Sequence, residues 1–268
     1  MVSKKIGFIG CNNMNGAILH GALKSKVIAK ENVLVYDISP TVIERVKLLG
    51  VNVVENNQVL CEASDMIILG TKPHHVKDAT QQCGEGLEGK ALVSVVAGLS
   101  IEYLQKLTKG KTRILRTMPN TPAMVGEGVT AFCKETDLSG EEKAEMVEIF
   151  EGIGSVEWVE ERLINVVAAI SGSGPAFFSM FVEALADGGV KNGLSRELSY
   201  QLAAQTMVGT GKMLLETGLH PGQIKDMVSS PGGTTIEGIK ALEKGGLRHA
   251  VMDCVDEATK KAEELGAQ

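Results

Sequence analysis

The first half of the chain alternates short apolar runs with amphipathic segments. The apolar runs predict strands at Lys5–Gly10, Val33–Asp37, Val51–Val54, Met66–Gly70, Ala91–Val96 and Arg113–Met118. Several of these runs are continuous in apolar residues, as strands buried on both faces of a parallel sheet are. Helices are predicted between the first strands, at Met14–Ser25 and Thr41–Leu49. Strand, helix and strand at this spacing indicate βαβ units with right-handed crossovers, and therefore a Rossmann-type, doubly wound sheet.

The pattern changes after about Leu163, where helical periodicity replaces the short apolar runs. The predicted helices are Phe177–Gly188, Glu197–Glu216 and Arg248–Leu265. We therefore expect an α/β domain over residues 1–163 followed by an all-α domain over residues 164–268. The helices are rich in alanine and glycine, which permit close helix approach, and this predicts that the helical half forms the core of a homodimer. A self-contained helical bundle is the alternative.

Composition and charge narrow the class of protein. The formal net charge is −6 and no cluster of lysine and arginine is present, which argues against nucleic acid as a partner. The five cysteines are dispersed without metal-ligand spacing, and the adjacent His74 and His75 have no evident partner ligands, so no metal site is predicted. An apolar run of about 20 residues is lacking, so no membrane span is expected. The first apolar stretch is too short for a signal peptide, and a cytoplasmic location is expected.

The loop after the first predicted strand lies where a nucleotide-binding turn belongs. The usual pattern there is G-x-G-x-x-G/A, whose glycines allow the tight turn, the approach of a pyrophosphate and close helix packing. Gly10 occupies the first position, whereas Asn12 and Asn15 occupy the second and third. Asparagine tolerates the left-handed conformation better than other non-glycine residues, so Asn12 is expected to permit the turn. Its side chain is expected to weaken the binding of the pyrophosphate.

An acidic residue, Asp37, ends the second predicted strand. A carboxylate at this place can accept hydrogen bonds from the ribose hydroxyls of a dinucleotide and would repel a 2′-phosphate, which favours NADH over NADPH. Ser39 and Arg45 follow closely and could bind that phosphate if Asp37 turned away. A third interpretation is that Asp37 only caps the next helix.

A turn in the second half, Ser230–Gly233, precedes a predicted helix. Thr234 and Glu237 have the spacing of a capping box, in which Thr234 would be the N-cap. The backbone N–H groups of Gly233, Thr234 and Thr235, with the helix dipole behind them, would then bind an anion. A carboxylate held there would place a neighbouring ring nitrogen within reach of the Thr235 hydroxyl. An ordinary capped turn without a ligand is the alternative.

Several segments together resemble the pyrroline-5-carboxylate reductases, and the resemblance runs from Ile6 to Gly266. The segments are Arg116–Ala123, Val125–Gly128, Ile170–Ala176, Glu183–Asp187 and Ser229–Gly238. The Ser-Pro-Gly-Gly-Thr-Thr sequence is the most specific of them. The departures from the family pattern are Asn12, Asn15 and Thr117.

The resemblance implies an NAD(P)H-dependent reduction of 1-pyrroline-5-carboxylate to L-proline, with Thr235 as the catalytic residue. It implies that the imino acid is bound by Ser230, Gly233, Thr234, Thr235 and Glu161. It implies cofactor contacts at Gly10, Cys11, Asn12, Asn13, Met14, Asn56, Thr71, Lys72, Pro73, Val95, Val96, Ala97, Met118, Pro119 and Asn120, to which the position of Asp37 and Ser39 adds two more. It also implies a homodimer, with decamers of five dimers known among similar enzymes.

Two other interpretations stay open on the sequence. One is a two-domain imine or hydroxy-acid dehydrogenase of the same architecture, although such hydroxy-acid enzymes use a lysine that is missing from residues 171–181. The other is a catalytically silent nucleotide-binding scaffold, which the substituted glycine loop makes plausible.

Overall fold

A computed structural model describes residues 2–266. The chain divides into two compact units, one comprising residues up to 172 together with those from 258 onward, and the other residues 173–257. The domain boundary predicted after residue 163 stays a prediction, and its outer limits, 1 and 268, lie outside the described residues.

The first unit is built on one eight-stranded sheet. Its strands are β1 Ile6–Ile9, β2 Val33–Tyr36, β3 Asn52–Val53, β4 Met66–Leu69, β5 Ala91–Ser94, β6 Arg113–Met118, β7 Gly128–Cys133 and β8 Gly154–Val159. Their order in the sheet is β3-β2-β1-β4-β5-β6-β7-β8. The first six are parallel, β7 is antiparallel to β6, and β8 is parallel to β7. The predicted doubly wound sheet is confirmed, and the order of strands reverses between β1 and β4, where such sheets bind ligands.

Helices cover both faces of this sheet. They are α1 Asn13–Lys24, α2 Pro40–Lys47, α3 Asn57–Ala63, α4 Val76–Gln82, α5 Ile101–Leu107, α6 Gly140–Glu151 and the short α7 Ile164–Val167, which follows a 3-10 turn and leads into a π-type turn at Ala168–Gly172. One buried cluster includes Phe8, Ile18 and Phe132, and the other includes Leu60 and Ile114. The removal of these side chains from water holds the helices on the sheet.

Helix α6 buries one of its faces against the sheet. Met146 and Phe150 lie in the core, where the Phe150 ring packs edge-on against Phe132 with the ring centroids 5.1 Å apart. The helix begins with a capping box between Ser139 and Glu142. Glu142 is buried as well, because its carboxylate accepts hydrogen bonds from the backbone N–H of Ser139 at 2.8 Å and from Arg113 Nε at 3.1 Å.

The buried Glu142 carboxylate should make the stability of the protein depend on pH. Burial by itself would raise the pKa of Glu142, but the hydrogen bonds from Arg113 and Ser139 outweigh it and hold the pKa below its ordinary value. A carboxyl whose pKa is lowered by folding stabilises the protein above its unfolded-state pKa, and that contribution is lost as the pH falls through the folded-state pKa. We expect Glu142→Gln to lower the free energy of unfolding by about 1–3 kcal/mol at pH 7.

Urea denaturation at a fixed protein concentration, at pH 7 and at successively lower pH, measures this effect. The difference in free energy of unfolding between Glu142→Gln and the unaltered chain should shrink as the pH falls below about 4.3, the ordinary pKa of glutamate. Glu141→Gln is the matched control, since the neighbouring Glu141 carboxylate is 75% exposed and is paired with Lys4, so its loss should cost little. A loss of stability that is the same at every pH would contradict the role given to the ion pair.

The second unit is helical, and no strand occurs among its described residues. Its helices are α8 Gly174–Lys191, α9 Arg196–Thr217, α10 Pro221–Met227, α11 Thr234–Lys244 and the first part of α12 Leu247–Gly266. Helices α8 and α9 pack closely, since a Cβ built on Gly189 would lie 2.6 Å from the Ser199 Oγ. By contrast, Gly209 and Gly211 of α9 face open space within this chain. The predicted close approach at these two glycines is therefore not made inside one copy.

Large apolar side chains remain exposed on the helical unit. Phe178, Met180 and Leu215 are each 60% exposed or more in the single chain. Such a surface is typical of a face that another protein covers. The helical stretch Glu161–Lys191 is also long and apolar enough, by length and composition alone, to cross a membrane. The expectation that the chain has no membrane span stays a prediction.

Candidate active site

The loop after β1 turns on Gly10. This residue has φ +74°, and a Cβ built on it would lie 3.2 Å from the Thr71 Cγ2, so glycine is required for both conformation and space. Helix α1 begins at Asn13, and its N-cap Asn12 has φ −76° without a side-chain capping hydrogen bond. The turn that Asn12 was expected to permit is present, and Gly10 rather than Asn12 adopts the left-handed conformation in it. The unpaired N–H groups of the first helical turn are available to a phosphate.

Asn15 replaces the third glycine of the usual pattern and has a structural role that its position did not predict. Its side chain is buried, and its Nδ2 donates to the carbonyl oxygens of Gly10 at 2.6 Å and Ile68 at 3.2 Å. A Cβ on Gly70 would lie 2.4 Å from the Asn15 amide, so the neighbouring strand leaves room for this side chain. Asn15 thus links the β1 loop to β4.

Three side chains hold the other side of the loop. The Asp37 carboxylate accepts from the backbone N–H of Cys11 at 2.7 Å and from that of Ser39 at 2.8 Å. Arg45 Nη2 donates to the Cys11 carbonyl at 2.8 Å. Ser39 is the N-cap of α2 and makes no side-chain capping bond. Asp37 therefore does more than cap a helix, because it fixes the loop that follows β1 to the end of β2.

The Cys11 thiol is buried, and burial raises its pKa to about 12. The thiol is therefore neutral at pH 7, and Cys11 contributes to the loop through its backbone. Met14, two residues further into α1 than the N-cap, is partly buried against the core.

The remaining predicted cofactor loops follow β4 and β5 at the same edge of the sheet. Thr71 follows β4, and its Oγ1 is buried without a hydrogen-bond partner among the described residues. Lys72 and Pro73 begin a 3-10 turn and are exposed. The backbone N–H of Val95, in the segment Val95–Ala97 after β5, donates to the Leu69 carbonyl at 3.0 Å. The unpaired Thr71 hydroxyl beside Gly10 and the free helix start fit a bound dinucleotide phosphate.

Two residues predicted to contact the cofactor, Asn120 and Asn56, form hydrogen bonds within the protein. The Asn120 amide donates to the Ser171 carbonyl at 3.2 Å and accepts from the backbone N–H of Val129 at 2.9 Å, while Pro119 beside it is buried. Asn56 is the N-cap of α3, and its Oδ1 accepts from the backbone N–H of Val59 at 2.9 Å. Asn120 therefore joins the end of β6 to β7 and to the turn at Ser171, and Asn56 caps α3.

An apolar cavity of about 340 Å³ lies at the ends of β5 and β6. Its walls include Val96 and Ala97 from the β5 loop, Met118 from β6, and Leu265 from the last turn of α12. A pocket of this volume, mostly apolar with a few polar groups, is typical of a small-ligand site. It adjoins the loops that carry the predicted cofactor residues.

Glu161, predicted to lie near the substrate, has two protein partners in the first unit. Its Oε1 accepts from Arg116 Nη1 at 2.9 Å and from the backbone N–H of Ile101 at 2.7 Å. Its carboxylate therefore anchors β6 to the start of α5. Arg116 itself was not predicted as a site residue, although a buried basic residue inside a strand is an unusual feature that could have indicated it.

The predicted substrate segment, Ser230–Thr235, lies in the second unit. Gly232 has φ +67°, and Gly233 is the N-cap of α11, which begins at Thr234. The predicted capping box is therefore wrong: Thr234 is the first helical residue, and Glu237 Oε2 accepts from Lys240 Nζ at 3.3 Å. The reason is the tight turn, in which the Gly233 N–H donates to the Ser230 carbonyl at 3.0 Å and the helix starts one residue earlier.

This shift changes the set of groups that an anion would meet. The N–H of Gly233 is already bonded, so Thr234, Thr235 and Ile236 offer the free N–H groups of the first turn. The Thr234 and Thr235 hydroxyls have no hydrogen-bond partner in the part of the chain that the structure describes. A Cβ on Gly233 would lie 2.3 Å from the Ser230 Oγ, so only glycine fits beside that hydroxyl.

Known proteins match both parts of the chain. Residues 161–265 match the family model described as pyrroline-5-carboxylate reductase dimerisation, and residues 5–98 match the one described as NADP oxidoreductase, coenzyme F420-dependent. The pyrroline-5-carboxylate reductase of Escherichia coli K12 is 39% identical over 98% of this chain and 99% of its own length. The chain belongs to the pyrroline-5-carboxylate reductase family. The Arabidopsis thaliana enzyme of the same name is 40% identical over 98% of this chain and 96% of its own.

Solved structures of pyrroline-5-carboxylate reductases have the same fold. The Plasmodium falciparum enzyme, crystallised with NADP bound, gives a TM-score of 0.88 at 34% identity and covers 99% of both chains. The Coxiella burnetii enzyme gives a TM-score of 0.93 at 31% identity over 98% of this chain and 99% of its own. The family predicted from residues 170–176 and 229–238 is confirmed, as are the Rossmann-type domain and the helical dimerisation domain.

Proposed function

We propose that this chain reduces 1-pyrroline-5-carboxylate to L-proline, the last step of proline biosynthesis, as an NAD(P)H-dependent oxidoreductase. The observation that carries this proposal is the end-to-end identity of 39–40% to pyrroline-5-carboxylate reductases of a bacterium and a plant. When bound, the reduced nicotinamide supplies a hydride to the imine carbon. The residues of this chain have to hold both molecules, align them and keep water away.

The cofactor is held by the loops at the carboxyl ends of the parallel strands. The free N–H groups at the start of α1 bind the pyrophosphate beside Gly10, where the Thr71 hydroxyl has no other described partner. Asp37 and Ser39 lie at the ribose end, and the β5 loop with Met118 lies at the nicotinamide end. The other cofactor residues proposed are Cys11, Asn12, Asn13, Met14, Asn56, Lys72, Pro73, Val95, Val96, Ala97, Pro119 and Asn120.

The imino acid is held by the start of α11. Its carboxylate accepts from the free backbone N–H groups of the first turn and from the Ser230 hydroxyl, while Gly233 keeps the turn open. The Thr235 hydroxyl has no described partner and bonds to the ring nitrogen. Glu161, in the first unit, is proposed as a substrate residue from the family resemblance alone, and its carboxylate is bonded to Arg116.

No strong acid or base is needed beside the substrate. A protonated C=N bond already accepts hydride well, so the protein contributes orientation and exclusion of water. Thr235 orients the nitrogen and stabilises its charge as it changes, and the proton comes from solvent or from the substrate. This accounts for the absence of a paired acid and base in the Ser230–Thr235 segment.

The preferred cofactor is NADH. Both oxygens of the Asp37 carboxylate are held by backbone N–H groups, which fixes this negative charge at the end of β2, where it repels a 2′-phosphate. Arg45 is bonded to the Cys11 carbonyl and is therefore turned toward the loop. The family model and the Plasmodium structure are both named for NADP. The proposed preference for NADH therefore rests on Asp37 alone.

A steady-state assay with pyrroline-5-carboxylate tests the reaction and the cofactor preference together. We expect oxidation of both cofactors, with kcat/KM higher for NADH by about 10-fold, a difference of about 1.4 kcal/mol. The variant Asp37→Ser keeps an acceptor for the Cys11 N–H without the charge and should bring the two values together. A higher kcat/KM with NADPH in the unaltered chain would contradict the role of Asp37 and assign the phosphate to Arg45.

The assembly is a homodimer formed through the helical domain, which the family model describes as a dimerisation region. The exposed apolar side chains of α8 and α9 provide the surface for it. Further association of dimers into a decamer is a proposal that rests on the family resemblance.

A cytoplasmic location is proposed as well, since the five cysteines are free thiols and four of them are buried.

A further inference from the structure

The apolar cavity at the ends of β5 and β6 contains two polar side chains whose hydrogen bonds are incomplete. Arg116, from β6, is the one charged residue in the described lining of this cavity. Asn165, from the short helix α7, lines the same cavity and is half-buried. The rest of the wall is formed by apolar residues such as Val96, Ile164 and the C-terminal Leu265, apart from Thr117.

The Arg116 guanidinium is only partly satisfied. Its side chain is 10% exposed, and within the described residues its single hydrogen bond runs from Nη1 to the Glu161 Oε1. A guanidinium has five N–H donors, so most of those of Arg116 are not engaged by the described residues. These donors line the cavity and are open to an acceptor that a ligand would bring.

The Asn165 amide complements this guanidinium. No described group bonds to the side chain of Asn165, and an amide offers one acceptor oxygen and two donor hydrogens. The other polar lining residue, Thr117, already donates its hydroxyl to the Ser94 carbonyl at 3.0 Å. A ligand that satisfies Arg116 and Asn165 together must carry an acceptor and a donor on an otherwise apolar body.

A flat ring with a carboxamide has this combination, and the reduced nicotinamide ring is such a ring. We propose that Arg116 donates to the carboxamide oxygen of the nicotinamide and that Asn165 accepts from its nitrogen. This rests on the proposed function, since it names the group that the cofactor places in the cavity. The two side chains then fix the rotation of the ring and so the face that meets the imine carbon.

Glu161 is a positioning residue in this arrangement. It holds the guanidinium through one nitrogen and bonds at the same time to the backbone N–H of Ile101, the first residue of α5. The orientation of Arg116 is thereby tied to the loop between β5 and α5, which carries Val96 and Ala97. The last turn of α12 closes the apolar side, where Leu265 lines the cavity and Gly266 approaches the Gly98 carbonyl.

Binding of two ligands to the unaltered chain and to Asn165→Leu separates this proposal from a structural role. ADP-ribose carries the nucleotide, the pyrophosphate and the second ribose, but no nicotinamide. Isothermal titration calorimetry should show Asn165→Leu binding NADH about 10-fold more weakly, with the affinity for ADP-ribose unchanged. Asn165→Asp keeps the acceptor oxygen and should bind NADH within about threefold of the unaltered chain, a difference of less than about 1.4 kcal/mol.

Arg116→Lys provides an independent variant, because lysine keeps the charge beside Glu161 and lacks the planar fork. Arg116→Lys should likewise weaken the binding of NADH and leave the affinity for ADP-ribose unchanged. If this variant does not fold, the titrations of Asn165→Leu test the proposal alone. Equal weakening of both ligands, or no weakening of NADH, would overturn the proposal. The proposal would also be overturned if the unaltered chain bound NADH and ADP-ribose with equal affinity. These titrations contain no imino acid, so a chain that passes them yet does not reduce pyrroline-5-carboxylate contradicts only the proposed function.

Discussion

Thr235→Ala is expected to lower the turnover of pyrroline-5-carboxylate by about 100-fold, the lower range for loss of a group that stabilises charge in a transition state. The physical reason is that its hydroxyl is the side-chain group assigned to the ring nitrogen, where charge changes as the hydride arrives. The hydroxyl has no described partner in the fold, so its removal leaves no buried group unsatisfied. The affinity for NADH should stay within about twofold, a difference of roughly 0.4 kcal/mol.

Measurement of kcat at saturating cofactor, together with the dissociation constant for NADH, checks both halves of this expectation. Thr235→Ser keeps the hydroxyl and should retain most of the turnover. Thr234→Ala, one residue earlier on the same helix start, is the matched control: it keeps the backbone N–H groups proposed to hold the carboxylate and should leave kcat nearly unchanged. Unaffected turnover in Thr235→Ala would show that the ring nitrogen is not bound by this hydroxyl.

Asn12→Gly is expected to tighten the binding of NADH by about 10-fold, or about 1.4 kcal/mol. The Asn12 side chain is exposed and makes no capping bond, and it belongs to the N-cap of α1, where the pyrophosphate is proposed to bind. Glycine at this place is only slightly worse as an N-cap and removes the obstacle. The dissociation constant for NADH, measured by fluorescence or calorimetry, gives the answer.

Asn15→Gly is the contrasting variant within the same loop. It restores the third glycine of the usual pattern, yet it removes the hydrogen bonds to the Gly10 and Ile68 carbonyls and leaves a cavity beside Gly70. We expect it to destabilise the domain. If Asn12→Gly left the affinity for NADH unchanged or lowered it, the assigned effect of the Asn12 side chain would be wrong.

The fold of the first unit could largely be predicted from the sequence because its central strands are buried on both faces. Short apolar runs, several of them continuous, predicted the six parallel strands, each within two residues of its observed ends. β7 and β8 were missed. β8 alternates exposed Ser155 and Glu157 with partly buried residues, as an edge strand does, and β7 is fixed by antiparallel pairing with β6 that no local pattern reports.

The site could be predicted less completely, because its geometry depends on contacts distant in sequence. The resemblance identified the Ser230–Thr235 segment, but the tight turn at Gly233 moved the helix start and removed the capping box. The Arg116–Glu161 pair joins residues 45 positions apart, and neither periodicity nor composition predicts it. Asn15 is a similar case, since its side chain donates hydrogen bonds to the Gly10 carbonyl after β1 and to the Ile68 carbonyl of β4.

Transfer of deuterium from the cofactor to the product shows whether this chain reduces pyrroline-5-carboxylate by hydride transfer. The unaltered chain is incubated with pyrroline-5-carboxylate and NADH deuterated at the transferable position of C4, and the product is analysed by mass spectrometry. The account predicts L-proline heavier by one deuterium, located on the former imine carbon. Oxidation of the cofactor without labelled proline, or no reaction with either NADH or NADPH, would contradict it.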